Sequence, residues 1–186
     1  MACNTVTLNG INAKCDTSAG GIKRVLIIQQ DDIDSIIVDW DEKTQIGSDE
    51  VTNITVKEGK QFAQWRFRKN TGSYTTSLTS DASIGTQAVT TDLNLQFTKA
   101  EATKRLEIQS AINAAAIVII EDMYGQYILL GKDNEVSVTS VNMQSGTAVT
   151  DLNGFTITLQ DVSLRLPHFI KEGVIEDLDN NGFIKP

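Results

Sequence analysis

SIGTQAVTTDLNLQFT (Ser83–Thr98) and SGTAVTDLNGFTITL (Ser145–Leu159) are near-copies of one another. Each has a Gly-Thr pair, a polar stretch, a Val-Thr, an Asp-Leu-Asn and then alternating apolar residues. The spacing from Gly85 to Gly146 exceeds that from Asp92 to Asp151 by two residues, so the repeat carries a slip. Alternation is the period of a half-buried strand. In the first copy Leu93, Leu95 and Phe97 share one face, and Asn94, Gln96 and Thr98 the other. In the second, Phe155, Ile157 and Leu159 oppose Thr156, Thr158 and Gln160. The pair predicts two similar β-hairpins on either side of one helix. No cluster of reactive groups surrounds either copy, which points to a scaffold rather than a catalyst.

The helix lies between the copies. Thr98-Lys99-Ala100-Glu101 matches a capping box, and the following AEATKRLEIQSAINAAA is rich in helix formers. The spacing predicts a helix over 99–115, with Leu106 on its buried face beside Ala102, Ser110 and Asn113. After it, AIVIIEDMYGQYILLG predicts a second hairpin whose continuous apolar run, Ile117 to Ile120, is a central strand. Upstream, Ile22 to Gln29 and Ile33 to Trp40 read as strands. Val51–Lys57 and Gln61–Lys69 read as a hairpin turning at Gly59. Phe62 is out of phase with Trp65 and Phe67, which predicts a bulge or face switch near Ala63. The expected core includes Phe97, Leu106, Ile119, Leu129 and Phe155.

The chain of 186 residues is long enough for one domain with its own core. Aromatic content of 6% is low, and Val, Ile and Thr are common, so the class is mainly β. The division is an N-terminal arm over 1–21, one β domain over 22–173, and an acidic, polar tail over 174–186. The start MACNTVTLNG lacks the basic and apolar regions of a secretory signal, so Cys3 and Cys15 are expected as free thiols in a reducing compartment. The longest apolar run, Ala114 to Ile120, is far too short to cross a membrane.

Charge narrows the function further. The 24 acidic residues outnumber 16 basic ones, for a net charge of -8. Nucleic-acid binding needs a concentrated basic stripe. The best candidate, Arg66-Phe67-Arg68-Lys69, reads more simply as a solvated strand face. An acidic surface repels DNA, so a channel lined this way lets a duplex pass without sticking.

Catalytic groups are sparse. The lone His168 offers no histidine pair for zinc, and no serine sits in a nucleophile elbow, so His168 reads as a surface or interface residue. Asp39 with Asp41 and Glu121 with Asp122 read as turn or solvent-facing acids at strand ends. The expectation is no enzyme activity and no cofactor. Asp177, Asp179 and Asn181, followed by Gly182, have the spacing of the first half of a calcium loop. The twelfth-position acid falls beyond Pro186, so the expected form is a polar turn with weak affinity, ordered only against a neighbour or an ion.

AAIVIIEDMYGQYILLG, SGTAVTDLNGFTITLQD and LRLPHFI, preceded by GGIKRVLII and TNITVKEGKQFAQWRFRKNTGSY, resemble the tail tube-type structural proteins of phages that infect Bacteroidota. The likeness spans about residues 10–170 and leaves the tail outside. It implies an antiparallel β-sandwich or rolled sheet with one flanking α-helix. It implies a homo-oligomeric virion component, usually a hexameric ring, made in the host cytoplasm. Rings stack, their sheets join in an inner barrel, and DNA passes through the lumen without specific binding. Partners are other virion proteins, not a membrane. Ring closure would pair exposed strand edges, and the Thr-rich strands and turns supply the contact candidates: Tyr74, Thr76, Thr86, Thr90, Thr147 and Thr150. A head-tail connector or tail-terminator ring is the nearest alternative. A monomeric β-sandwich binding module, which needs an exposed aromatic platform, is the alternative from another class.

Overall fold

The computed structural model describes residues 19–41, 46–81, 83, 85–148 and 150–185. Cys3, Cys15 and all but the end of the expected N-terminal arm lie outside them. The fold is mainly β, built from a curled sheet and a second, smaller one. Among the described residues no helix is long and apolar enough to cross a membrane.

The larger sheet holds eight strands. They are β1 (Ile22–Gln29), β2 (Ile33–Asp41), β3 (Ile46–Val56), β4 (Phe62–Trp65), β7 (Ala116–Asp122), β8 (Tyr127–Leu130), β11 (His168–Ile170) and β12 (Ile184–Lys185). Their order is β12-β4-β1-β7-β8-β11-β3-β2. β7 lies inside this sheet, between β1 and β8, as its apolar run predicts. Val118 and Ile120 face one core cluster; Ile117 and Ile119 face another. A strand covered on both sides has no polar face to keep, so its sequence does not alternate.

The expected Val51–Lys57/Gln61–Lys69 hairpin does not form. β3 pairs with β2 and β11, whereas β4 pairs with β1 and β12. The sheet curls so that β3 and β4, distant in strand order, both contribute to one interior cluster through Val51, Ile54 and Phe62. Nor is there a bulge at Ala63, because the β1–β4 register runs unbroken from Val25↔Trp65 to Ile27↔Ala63. Phe62 points into the roll and Trp65 out of it, toward the second cluster. β4 also stops at Trp65, so Arg66 and Arg68 leave the sheet in an irregular segment rather than forming a strand face.

The smaller sheet contains β5 (Gly72–Asp81), β6 (Thr86–Thr98), β9 (Ser137–Gln144) and β10 (Gly154–Ser163), in the order β5-β6-β10-β9. Leu93, Leu95, Phe97, Phe155, Ile157 and Leu159 pack it against the outer face of the roll. Both predicted hairpins, β5–β6 and β9–β10, are present. The repeat is nevertheless imperfect in structure. Asp92-Leu93-Asn94 is mid-strand in β6, whereas Asp151-Leu152-Asn153 lies in the loop before β10. There the Asp151 carboxylate accepts the N–H groups of Thr147 and Ala148, both at 2.8 Å, and these bonds hold its pKa below the ordinary range.

The helix α1 (Ala102–Ile112) is shorter than expected, and Glu101, not Thr98, precedes it. No side chain caps it. Thr98 cannot serve because it is the last residue of β6, paired with Gly154. Ile108 and Ala111 are the residues α1 buries, while Leu106 is 61% exposed, so the expected stripe is rotated off the core. Phe97, Ile119, Leu129 and Phe155 are buried as expected.

A second helix, α2 (Val174–Asn180), corrects the reading of the tail. Val174, Ile175, Leu178 and Ile184 are buried in the roll, and β12 pairs with β4. The tail belongs to the domain; it does not wait for a neighbour. Four apolar residues at helical and strand positions outweigh the polar character that made the segment read as a turn.

Candidate assembly surface

The four-stranded sheet has two dissimilar faces. Its core side carries the apolar residues above. Its outer side carries Ser73, Thr75, Ser77 and Thr79 on β5, Thr90, Asp92, Asn94 and Gln96 on β6, and Thr156, Thr158, Gln160 and one exposed apolar residue, Val162, on β10. Serine, asparagine and glutamine continue the row on β9. Cross-strand hydrogen bonds tie it together: Thr158 Oγ1 donates to Asn94 Oδ1 at 2.8 Å, and Gln160 Nε2 donates to Asp92 Oδ1 at 2.8 Å. No residue of these four strands is a lysine or arginine. Their charged residues are Asp81, Asp92 and Asp161.

The edges are the second feature. β5 and β9 close the strand order, and among the described residues nothing pairs with their outer sides. Both strands overhang the core. Leu78 on β5 is 61% exposed and Met143 on β9 is 62% exposed, although both face the core side. Tyr74 and Val141 are partly exposed beside them. An uncovered edge with apolar side chains is an association site unless something blocks it.

The six sequence candidates do not gather in one place. Tyr74 and Thr76 lie on the core side of β5; Thr76 Oγ1 is 2.9 Å from the hydroxyl of buried Thr91. Burial raises the Tyr74 phenol above its ordinary pKa, and the charge of Asp122 adds to the effect. Thr90 faces outward and Thr86 sits at the tip of the first hairpin. Thr147 and Thr150 occupy the loop of the second hairpin. Because β6 and β10 are antiparallel neighbours, the two tips lie at opposite ends of the sheet. The sequence reading missed Leu78 and Met143. Their signal was an apolar residue in a Thr/Ser-rich or Asn/Gln-rich strand.

Other candidates take structural places. His168 is buried rather than on the surface, with Nδ1 3.2 Å from both the carbonyl and a carboxylate oxygen of Asp49. Glu121 is also buried, against expectation, and takes ion pairs from Lys23 and Arg24. Asp122 is the turn acid expected, accepting N–H bonds from Tyr124 and Gln126. Asp39 accepts a hydrogen bond from the Ser48 hydroxyl at 3.1 Å. Asp177 and Asp179 stand on α2, not in a loop, and two helical positions separate side chains by about 200°. Asn181 follows the helix end. The half calcium loop is therefore not built as one.

No family model matches the chain, and neither a curated protein nor a solved structure matches it.

Proposed function

We propose that the chain is a structural ring subunit, a phage tail tube protein whose four-stranded sheet joins those of its neighbours into a barrel around DNA. The observation that carries this reading is one sheet that combines two open, apolar-flanked edges with an outer face devoid of lysine and arginine. Its four strands alternate in direction, so β5 of one copy meets β9 of the next antiparallel. Rotational repetition of that contact closes a ring and leaves no edge. Tyr74, level with Leu93, then lies near Val141 of the next copy, level with Leu95, while Leu78 and Met143 flank that contact toward opposite ends of the edge.

The size is consistent with a channel. Six copies of a four-stranded sheet at about 4.8 Å per strand make a barrel roughly 37 Å across before strand tilt widens it. A lining of hydroxyls, amides, Asp92 and Val162 offers DNA phosphates no cation to hold, so the duplex slides.

Negative-stain microscopy and sedimentation velocity on the purified chain test this. Rings or tubes with a central hole support it, and a strict monomer at high concentration across salt conditions overturns it. Stacked copies identify a tube; a single ring identifies a connector or terminator.

A further inference from the structure

The distal end of the β5–β6 hairpin runs on past the sheet that carries it. β10 leaves the pairing at Ser163, opposite Val89, while β5 and β6 continue to Asp81↔Thr86. Thr86, Gln87 and Ala88 therefore pair with β5 alone, and the ribbon projects about 10 Å beyond β10. Thr79, Ser80, Asp81, Thr86 and Gln87 are exposed, so neither face of the ribbon is covered. A two-stranded ribbon with no core to rest on is marginal in water. Asp81 is the only charged residue between Ser77 and Thr90, and its carboxylate accepts the Ser83 N–H at 2.8 Å.

The other end of the same two strands holds a cleft of about 560 Å³. It opens where β5 begins and β6 ends, and Arg68, Thr71, Gln96, Lys99, Thr150 and Asp151 line it. Backbone bonds fix its walls. The Thr71 carbonyl accepts the Gln96 N–H at 2.9 Å, and the Asn153 carbonyl accepts the Lys99 N–H at 2.5 Å. The two cations outnumber the one acid. Asp151 is taken up by the N–H groups of Thr147 and Ala148, and Lys99 is paired with Glu101. Among the described residues Arg68 has no acidic partner. The cleft thus offers a guanidinium, hydroxyls and amides to a polar segment that carries one acid and no base.

We propose that the distal β5–β6 ribbon of one copy, led by Asp81 and Thr86, seats in the Arg68/Lys99 cleft of a second copy of this chain, as the contact between stacked rings. It rests on the assembly reading above. Ribbon and cleft lie at opposite ends of one pair of strands, so a copy shifted along the strand axis brings the two together. The 13 residues of β6 span about 43 Å, which sets the rise of a ring before strand tilt shortens it. Thr86 and Thr150, far apart within one copy, meet across the contact. Each copy gives a ribbon and accepts one, so the contact is heterologous and propagates, as stacking requires.

Two measurements test it. The first is a charge swap read by sedimentation velocity and negative-stain microscopy, with circular dichroism melts to check folding. D81K and R68E change exposed residues. Each alone is expected to stop at single rings, with association between rings weakened about tenfold or more, because like charges then face each other. The double variant D81K/R68E restores stacks. Wild-type stacking weakens as salt rises. The second is oxidative cross-linking of T86C/T150C with Cys3 and Cys15 replaced by serine. A denaturing gel should show a ladder beyond the dimer, and either cysteine alone should give none. Single charge variants that stack like the wild type overturn the proposal, as do stacks of T86C/T150C without a ladder. Wild-type rings that never stack overturn this contact and leave ring formation standing. A wild-type chain that never associates overturns both this contact and the assembly reading.

Discussion

Phe62 and Trp65 sit three residues apart on β4 and occupy two different cores. An odd separation puts them on opposite faces of the strand, and both faces are covered. The roll interior takes Phe62, which is fully enclosed. The layer between the roll and the smaller sheet takes Trp65, edge-on to Phe97 at 5.5 Å between ring centroids. One sheet thus serves two hydrophobic clusters, and the polar face of the protein is left to the smaller sheet.

Phe62→Ala should destabilise the fold by about 3–5 kcal/mol, the range for an enclosed aromatic cut to alanine. Leu106→Ala, at an exposed helical site, should change stability by no more than about 0.5 kcal/mol. Urea unfolding of both variants checks the contrast. A Phe62→Ala loss below about 1 kcal/mol would mean the roll interior is wrongly drawn.

Gly154→Ala should weaken the pairing of β10 with β6. A Cβ at this position would lie 1.9 Å from the Phe97 carbonyl oxygen, which is backbone and cannot swing away. Overpacking of this kind costs about 1–3 kcal/mol or more. Hydrogen exchange should show faster opening at Phe97 and Thr98 than at Thr90. Unchanged protection at both ends would contradict the close approach.

A chain ended at Gly173 should lose cooperative folding. It lacks buried Val174, Ile175, Leu178 and Ile184 and exposes the roll around Phe62. Each such side chain contributes about 1.5–3 kcal/mol, so the sum rivals the whole stability of a domain, about 5–15 kcal/mol. A sharp two-state melt near the full-length value would show that α2 and β12 are dispensable.

Asp161→Asn should stabilise the protein at neutral pH by about 1 kcal/mol. Burial raises the Asp161 carboxyl above its ordinary pKa; the Gly131 N–H opposes this and Asp133 reinforces it. One carboxylate oxygen has no hydrogen-bond partner. With the folded-state pKa above the unfolded one, the folded protein binds more protons between the two values. The contribution of this group therefore falls as pH rises through the folded pKa, and acid below the unfolded pKa removes the deficit. Wild type and variant should converge in acid. An asparagine variant that is less stable at neutral pH would show that the charge is compensated.

Leu78→Lys and Met143→Lys should each leave the melting of the isolated domain nearly unchanged, since both residues are exposed. Either should block the β5–β9 contact and leave monomers in sedimentation velocity. Rings formed by both variants would remove these edges from the assembly.

The mainly β class, both hairpins of the smaller sheet and the inner position of β7 were legible in the sequence. Each depends on local alternation or on an uninterrupted apolar run, and those are properties of short segments. The curl of the larger sheet was not legible. β3 finds β11 and β4 finds β1 across long stretches of chain, and the apparent hairpin at Gly59 gave way because both strands gain more by enclosing Phe62 and Val51 in one interior. The same packing turned an acidic tail into a helix and a sheet edge, drew His168 and Glu121 inside, and rotated Leu106 outward. It also decided the candidate surface. Sequence composition supplied strands without lysine or arginine. Only the antiparallel register of β6 with β10 set those strands side by side, put the hairpin tips at opposite ends, and left β5 and β9 open, because strand order is set by which long-range pairing buries the most apolar surface.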